Sequence, residues 1–120
     1  MTICEERPLS NEEVALLEWL IDHGRPDASK YRFQIPLLRV VSKCGCGCPS
    51  IDLATGSASH KTGAPSIIAD GEATSPEGVF VGIILHVRGG EISKLEVYSI
   101  TGQESRFSLP KPETITLWPD

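Results

Sequence analysis

Apolar residues recur at helical spacing only near the start of the chain. Val14, Leu16, Leu17, Leu20 and Ile21 fall on one face of a helix, with Glu18 and Asp22 on the other. Ser10 followed three residues later by Glu13 is a capping-box pattern, and Leu9 ahead of it supplies a staple residue. His23-Gly24, with Pro26 beyond, marks the stop. Trp19 lies off the centre of the apolar stripe, beside Ala15 and Glu12, so it reads as a rim residue of the core or as an interface anchor. Glu5, Glu6, Glu12 and Glu13 read as a solvated cluster suited to the positive end of the helix dipole. Asp27 can cap a short second helix through Lys30 and Tyr31, which Pro36 ends because the residue before proline is pushed away from helical angles.

Beyond this point the pattern turns to strands. Residues 37–43 read as a strand, and residues 50–54 as its continuation or its partner. Residues 55–65 are small and polar, a loop. Gly56, Lys61 and Thr62 echo a phosphate-binding loop, but His60 stands where glycine is needed and Gly63-Ala64-Pro65 follows where a helix must start. Residues 78–87 alternate, with Val79, Val81, Ile83, Leu85 and Val87 on one face and Phe80, Gly82, Ile84 and His86 on the other, which predicts a central strand. Arg88-Gly89-Gly90 then turns the chain into a second strand over 92–100. A two-residue Gly-Gly loop would set Leu85 opposite Lys94 and mix charge into the apolar face. A three-residue loop with Gly90 as a left-handed bulge residue instead pairs Ile83 with Leu95, Val81 with Val97 and Phe80 with Tyr98, and is the expected register. Phe107 and Leu109 lead past Pro110 and Pro112 to a last short strand over 114–118. These elements predict one α+β domain spanning residues 1–120, with an N-terminal helix or two packed on a mostly antiparallel sheet of about five strands. The hairpin lies near the middle of that sheet, and the helix covers its Val81, Ile83, Leu95 and Val97 face.

One stretch carries unusual chemistry: Cys44-Gly45-Cys46-Gly47-Cys48-Pro49. Alternating thiols suggest a zinc or copper(I) thiolate site, with His60 the first candidate for a fourth ligand. Geometry restricts that reading. In an extended chain, side chains two residues apart are separated by about 6.6 Å. Thiolates sharing a zinc ion have sulfurs at most about 4.6 Å apart. Only a tight loop, which Gly45 and Gly47 would permit, brings all three to one ion. The apolar runs on both sides favour the extended form, with Cys44, Cys46 and Cys48 as reduced, mostly buried thiols that hold no metal, and with an aromatic ring lying against the bare backbone of Gly45 and Gly47.

Composition narrows the function. The 120 residues suffice for a hydrophobic core, and the net charge of −5 argues against binding a phosphate backbone while suiting a basic protein partner. The N-terminus carries no signal-peptide pattern and the apolar run over 79–85 is too short to span a bilayer, so a cytoplasmic setting without membrane attachment is expected. Leu38-Arg39-Val40-Val41, Cys44 through Ile51, Gly90 and Leu95-Glu96-Val97-Tyr98 together resemble a group of small uncharacterised bacterial proteins, a domain of unknown function, over roughly the middle two-thirds of the chain. That resemblance implies a compact bacterial α+β domain and no particular chemistry. No local pattern ties a cysteine nucleophile to His60 or His86, and no catalytic residue is assigned. The expected function is therefore a protein-binding module, with toxin-neutralising proteins as the analogy and Trp19, Tyr98 and Trp118 as candidate contact residues. The alternative is a metal-thiolate or thiol-redox protein using Cys44, Cys46, Cys48 and His60.

Overall fold

The computed structural model describes residues 2–45, 47–56, 63–104 and 106–119. The chain opens with strand β1 (Thr2–Pro8), followed by helix α1 (Asn11–His23). The capping box of α1 forms as its residues dictate: Glu13 N–H donates to Ser10 Oγ (3.1 Å), and Ser10 N–H donates to Glu13 Oε1 (2.8 Å). Leu9 and Val14 pack at the edge of the core, while Leu16, Leu17, Leu20 and Ile21 are buried. Gly24 ends the helix in an extended conformation, not a left-handed one. Its role is close approach, since a Cβ there would lie 2.5 Å from the carbonyl oxygen of Ile68 in the neighbouring sheet. The second helical segment, Ala28–Leu37, winds as a 3-10 helix and takes in Pro36, and Asp27 makes no side-chain cap to it.

The remaining strands are β2 (Arg39–Cys44), β3 (Ile51–Ala54), β4 (Pro65–Thr74), β5 (Phe80–Arg88), β6 (Glu91–Ser99) and β7 (Thr116–Leu117), the last preceded by a 3-10 turn over Pro112–Thr114. They form one antiparallel sheet of seven strands in the order β1-β2-β3-β6-β5-β4-β7. The architecture is α+β as expected, with two strands more than the pattern indicated. The additional strands are β1 and β4, and each hides from pattern reading for a physical reason. In β1 the residue facing the helix side is charged: Arg7 forks onto Glu13 with two bonds of 2.8 Å. Glu13 is thus buried rather than part of a solvated cluster. In β4 the residues opposite Leu85, Ile83 and Val81 are Ala69, Gly71 and Ala73, small because the helix end and β7 press close there.

The β5–β6 hairpin sits centrally and its core face is the expected one. Its register is not. Gly89 and Gly90 form a two-residue turn with both φ angles positive (60° and 83°), pairing Arg88 with Glu91 and Val87 with Ile92. A bulge then shifts the ladder, so that Leu85 faces Leu95, Ile83 faces Val97, and Gly82, not Phe80, faces Tyr98. The extra residue returns Leu95 and Val97 to the core face, which removes the objection to the two-residue loop. Gln34 in the 3-10 helix holds this arrangement from outside the hairpin: its Nε2 donates to Gly90 O (2.8 Å) and its Oε1 accepts from Ile92 N–H (2.9 Å).

A single apolar cluster lies between the helices and the sheet. Leu17, Leu20, Val40, Leu53, Val81, Ile83, Leu85, Ile92, Leu95 and Val97 are fully buried in it. Phe107 and Ile115 from the C-terminal segment close it at one end. At the exposed side of β4, Arg25 donates its backbone N–H to Ile68 O (2.8 Å) and its guanidinium to Ile67 O (2.9 Å), satisfying carbonyls that would otherwise invite another strand. Among the described residues no helix is long and apolar enough to cross a membrane.

Candidate interaction face

The face of the sheet turned away from the helices carries the residues most suited to binding. Along β5, Val81, Ile83, Leu85 and Val87 point into the core, so Phe80, Gly82, Ile84 and His86 point out. Along β6 the outward residues are Lys94, Glu96 and Tyr98. Ile100 N–H donates to Phe80 O (3.0 Å), which brings Ile100 alongside Phe80, and both are exposed. In the next row Tyr98 faces Gly82, and its ring lies on the bare glycine backbone: a Cβ there would meet Tyr98 Cζ at 2.2 Å. An aromatic ring against bare glycine backbone was expected at Gly45 and Gly47; the sheet makes that arrangement at Gly82, which is buried. One row further, Ile84 faces Glu96. Phe80, Ile100, Tyr98 and Ile84 therefore form a continuous apolar patch.

Charged groups surround this patch. Asp70, Glu72, Glu96 and Asp52 share the outward face with Arg88 and Lys94. His86 Nε2 lies 2.9 Å from Glu96 Oε1. Trp118 sits at the β7 edge, where its Nε1–H donates to Glu72 Oε1 (2.9 Å) and its backbone N–H to Asp70 O (2.9 Å). At the far end, the hydroxyls of Ser99 and Thr101 donate to Glu104 Oε1 (2.6 and 2.8 Å) and hold its carboxyl below the ordinary carboxylate range. Glu77, in the β4–β5 turn, takes the backbone N–H and the hydroxyl of Ser108, which draw its pKa down to about 2.

The cysteine segment borders the same face. Contrary to the extended chain expected, it reverses direction between β2 and β3, with Gly47 at φ 101°. The physical reason lies in Ser50. Its hydroxyl donates to Val97 O (3.0 Å) and accepts from Val97 N–H (2.8 Å), taking the place of a strand residue beside β6. Beyond that point β6 runs without β3, and a cleft of about 310 Å³ opens between Cys44, Cys48, Ser50, Tyr98, Glu104 and Phe107. Cys44 and Cys48 are half-buried at its wall. Cys46 and His60 lie outside the described residues. Among the described residues no group of three or more His, Cys, Asp or Glu side chains is placed to hold a metal ion.

Set against known proteins, the chain matches no family model, no curated protein and no solved structure. The geometry alone therefore carries the reading. Of the three binding candidates, Tyr98 lies at the centre of the outward face and Trp118 at its edge. Trp19 lies elsewhere, on α1, half-buried and stacked on His23 with ring centroids 4.2 Å apart. His23 and Trp118 in turn border a smaller cleft of about 220 Å³ at the β4–β7 edge, together with Arg25 and Asp70. Residue type pointed to Tyr98 and Trp118. Ile84, Ile100 and the acidic rim had no such signal, because only the strand register places them together.

Proposed function

We propose that this chain is a protein-binding module that presents the outward face of its sheet to a basic protein partner in a cytoplasm. The observation that carries the reading is the apolar patch of Phe80, Ile100, Tyr98 and Ile84 inside an acidic rim, on the side of the sheet that no described helix covers. Interfaces concentrate their energy in aromatic residues at the centre and use rim charge for steering and partner choice. The net charge of −5 favours a basic surface opposite. Small acidic domains that neutralise toxins by occupying their surface are the nearest functional analogy.

The test is affinity capture on immobilised protein, with wild type compared against Tyr98→Ala and Phe80→Ser. The expected result is a basic protein that wild type retains at low salt, that rising salt releases, and that both variants lose. A retained set identical for wild type and variants would remove this face from consideration.

One observation favours a second reading, thiolate binding of a soft metal ion. The Cys44–Cys48 stretch reverses direction, and a reversal is the condition under which its thiols can share an ion. Elemental analysis and native mass spectrometry before and after chelation decide it. One zinc per chain, with loss of folded structure on removal, establishes the metal site; metal-free folded protein eliminates it.

A further inference from the structure

Two cysteines border the cleft beside Tyr98, and the register of β2 on β3 says how they stand to each other. Lys43 pairs with Ile51, and one step further Cys44 N–H donates to Ser50 O (3.4 Å), so Cys44 stands opposite Ser50. Cys48 precedes Ser50 by two residues, and Pro49 between them keeps Cys48 in extended backbone, which returns its side chain to the face of Ser50. Cys44, Cys48 and Ser50 accordingly border the same cleft of about 310 Å³. Both cysteines are in the thiol state, set as diagonal neighbours across the reversal.

That spacing discriminates between two uses of a thiol pair. Diagonal neighbours lie about 7–8 Å apart at Cα, with their Cβ atoms closer. A disulfide needs Cα atoms about 4.4–6.8 Å apart, so the pair stands too wide for a sulfur–sulfur bond. Two sulfurs that share one ion stand up to about 4.6 Å apart, a separation that thiols turned toward each other from such Cβ positions reach.

The donor set selects the ion. Structural zinc takes four ligands, and among the described residues no three His, Cys, Asp or Glu side chains are placed to hold a metal. Glu96 and Glu104 also border the cleft, but carboxylate oxygens match a soft ion poorly, and both are engaged: Glu96 with His86, Glu104 with the hydroxyls of Ser99 and Thr101. Copper(I) is soft and favours thiolates, and as a closed-shell monovalent ion it is satisfied by two of them in a line. Binding releases both thiol protons to solvent and transfers no electron, which leaves a bis-thiolate complex with one net negative charge. Lys94 borders the cleft as well. Lys30 and Lys43 are paired with Asp27 and Glu5, whereas Lys94 has no carboxylate partner among the described residues, so its ammonium can face that charge.

Resting on the thiolate reading above and narrowing it to one ion and one ligand pair, we propose that Cys44 and Cys48 hold a copper(I) ion between them in this cleft.

The test uses the full chain, produced in copper-supplemented cells and purified without oxygen or chelator. Elemental analysis and native mass spectrometry should find one copper per chain, and X-ray absorption at the copper edge should find two sulfur neighbours. Competition against copper(I)-bicinchoninate then compares variants whose circular dichroism matches wild type. Cys4→Ser should keep the wild-type affinity, and Cys44→Ser and Cys48→Ser should each lose at least tenfold. Zinc in place of copper, or three or more sulfurs around the copper, overturns the proposal and leaves the broader thiolate reading standing. A folded chain that carries neither metal overturns both. Wild-type affinity in Cys44→Ser or Cys48→Ser, or an equal loss in Cys4→Ser, overturns the ligand pair. The absorption measurement on wild type decides the coordination even where a variant fails to fold.

Discussion

Glu13→Gln is the sharpest test of how the N-terminal strand is tied to the helix. The Glu13 carboxylate, 5% exposed as a residue, accepts two bonds of 2.8 Å from Arg7 and one of 2.8 Å from Ser10 N–H. Glutamine keeps the shape and can still accept from Ser10, so the capping box survives. What is lost is the charge, and one of the two Arg7 bonds must now meet an NH2 group. Breaking a fully buried pair costs about 3–5 kcal/mol. Here Arg7 keeps 35% of its side-chain exposure and a second partner in Glu5 at 3.0 Å, so it can be partly resolvated. The expected loss is therefore at or below the low end, about 2–3 kcal/mol. Linkage gives the sign with pH. Burial raises the Glu13 pKa, but the hydrogen-bonded Arg7 guanidinium and the Ser10 N–H outweigh it and hold the carboxyl below its ordinary value. The stabilisation is then fully present above the unfolded value of about 4.3 and fades as pH falls through the lower folded value. Urea melts at neutral and strongly acidic pH measure both. A wild-type advantage under ~0.5 kcal/mol at neutral pH, or one that does not shrink in acid, would refute the reasoning. An Arg7→Met, Glu13→Leu double variant should recover much of the loss, because it leaves no buried charge without a partner.

Three further outcomes are expected. Ile83→Ala, at a fully buried core position, should cost roughly 2–5 kcal/mol in denaturant melts, and a loss below ~1 kcal/mol would remove it from the core. Gly89→Val and Gly90→Val should destabilise alike, by about 1–2 kcal/mol each, since both positions have positive φ; a loss at Gly90 alone would restore the three-residue loop. Gly71→Ala should displace β7, because its Cβ would lie 2.3 Å from Thr116 O, and hydrogen exchange at the Trp118 amide, which bonds Asp70 O, should accelerate; unchanged protection there would contradict the close approach.

What the sequence made legible was local. Helix α1 announces itself because its cap, staple and apolar stripe lie within a few turns of one another. The β5 strand is equally plain, because it alternates large apolar residues with no interruption. The two strands that pattern reading missed are specified by residues that lie outside them. Arg7 faces the helix side only because Glu13 is there to receive it. The small residues of β4 make sense only beside Gly24 and the β7 backbone. Register failed for the same reason. Gln34 stands far from the hairpin in sequence, yet its amide binds both Gly90 and Ile92 on the strand side of the turn.

The site follows from that register rather than from its residue types. A tyrosine and a tryptophan near the end of a chain are noticeable, but they become a face only if Tyr98 lands on Gly82 and Ile100 on Phe80. With the ladder displaced, Tyr98 would face Phe80 and no ring would lie flat against bare backbone. The cleft beside this face likewise depends on one side chain. Ser50 satisfies both the N–H and the carbonyl of Val97, so β3 can stop while β6 continues. The cysteine stretch can turn there, and Cys44 and Cys48 line one cleft together with Tyr98. The oddest segment of the sequence and the best-placed aromatic residue of the sheet thus border one cavity, joined by a serine that pattern reading took only for the start of a strand.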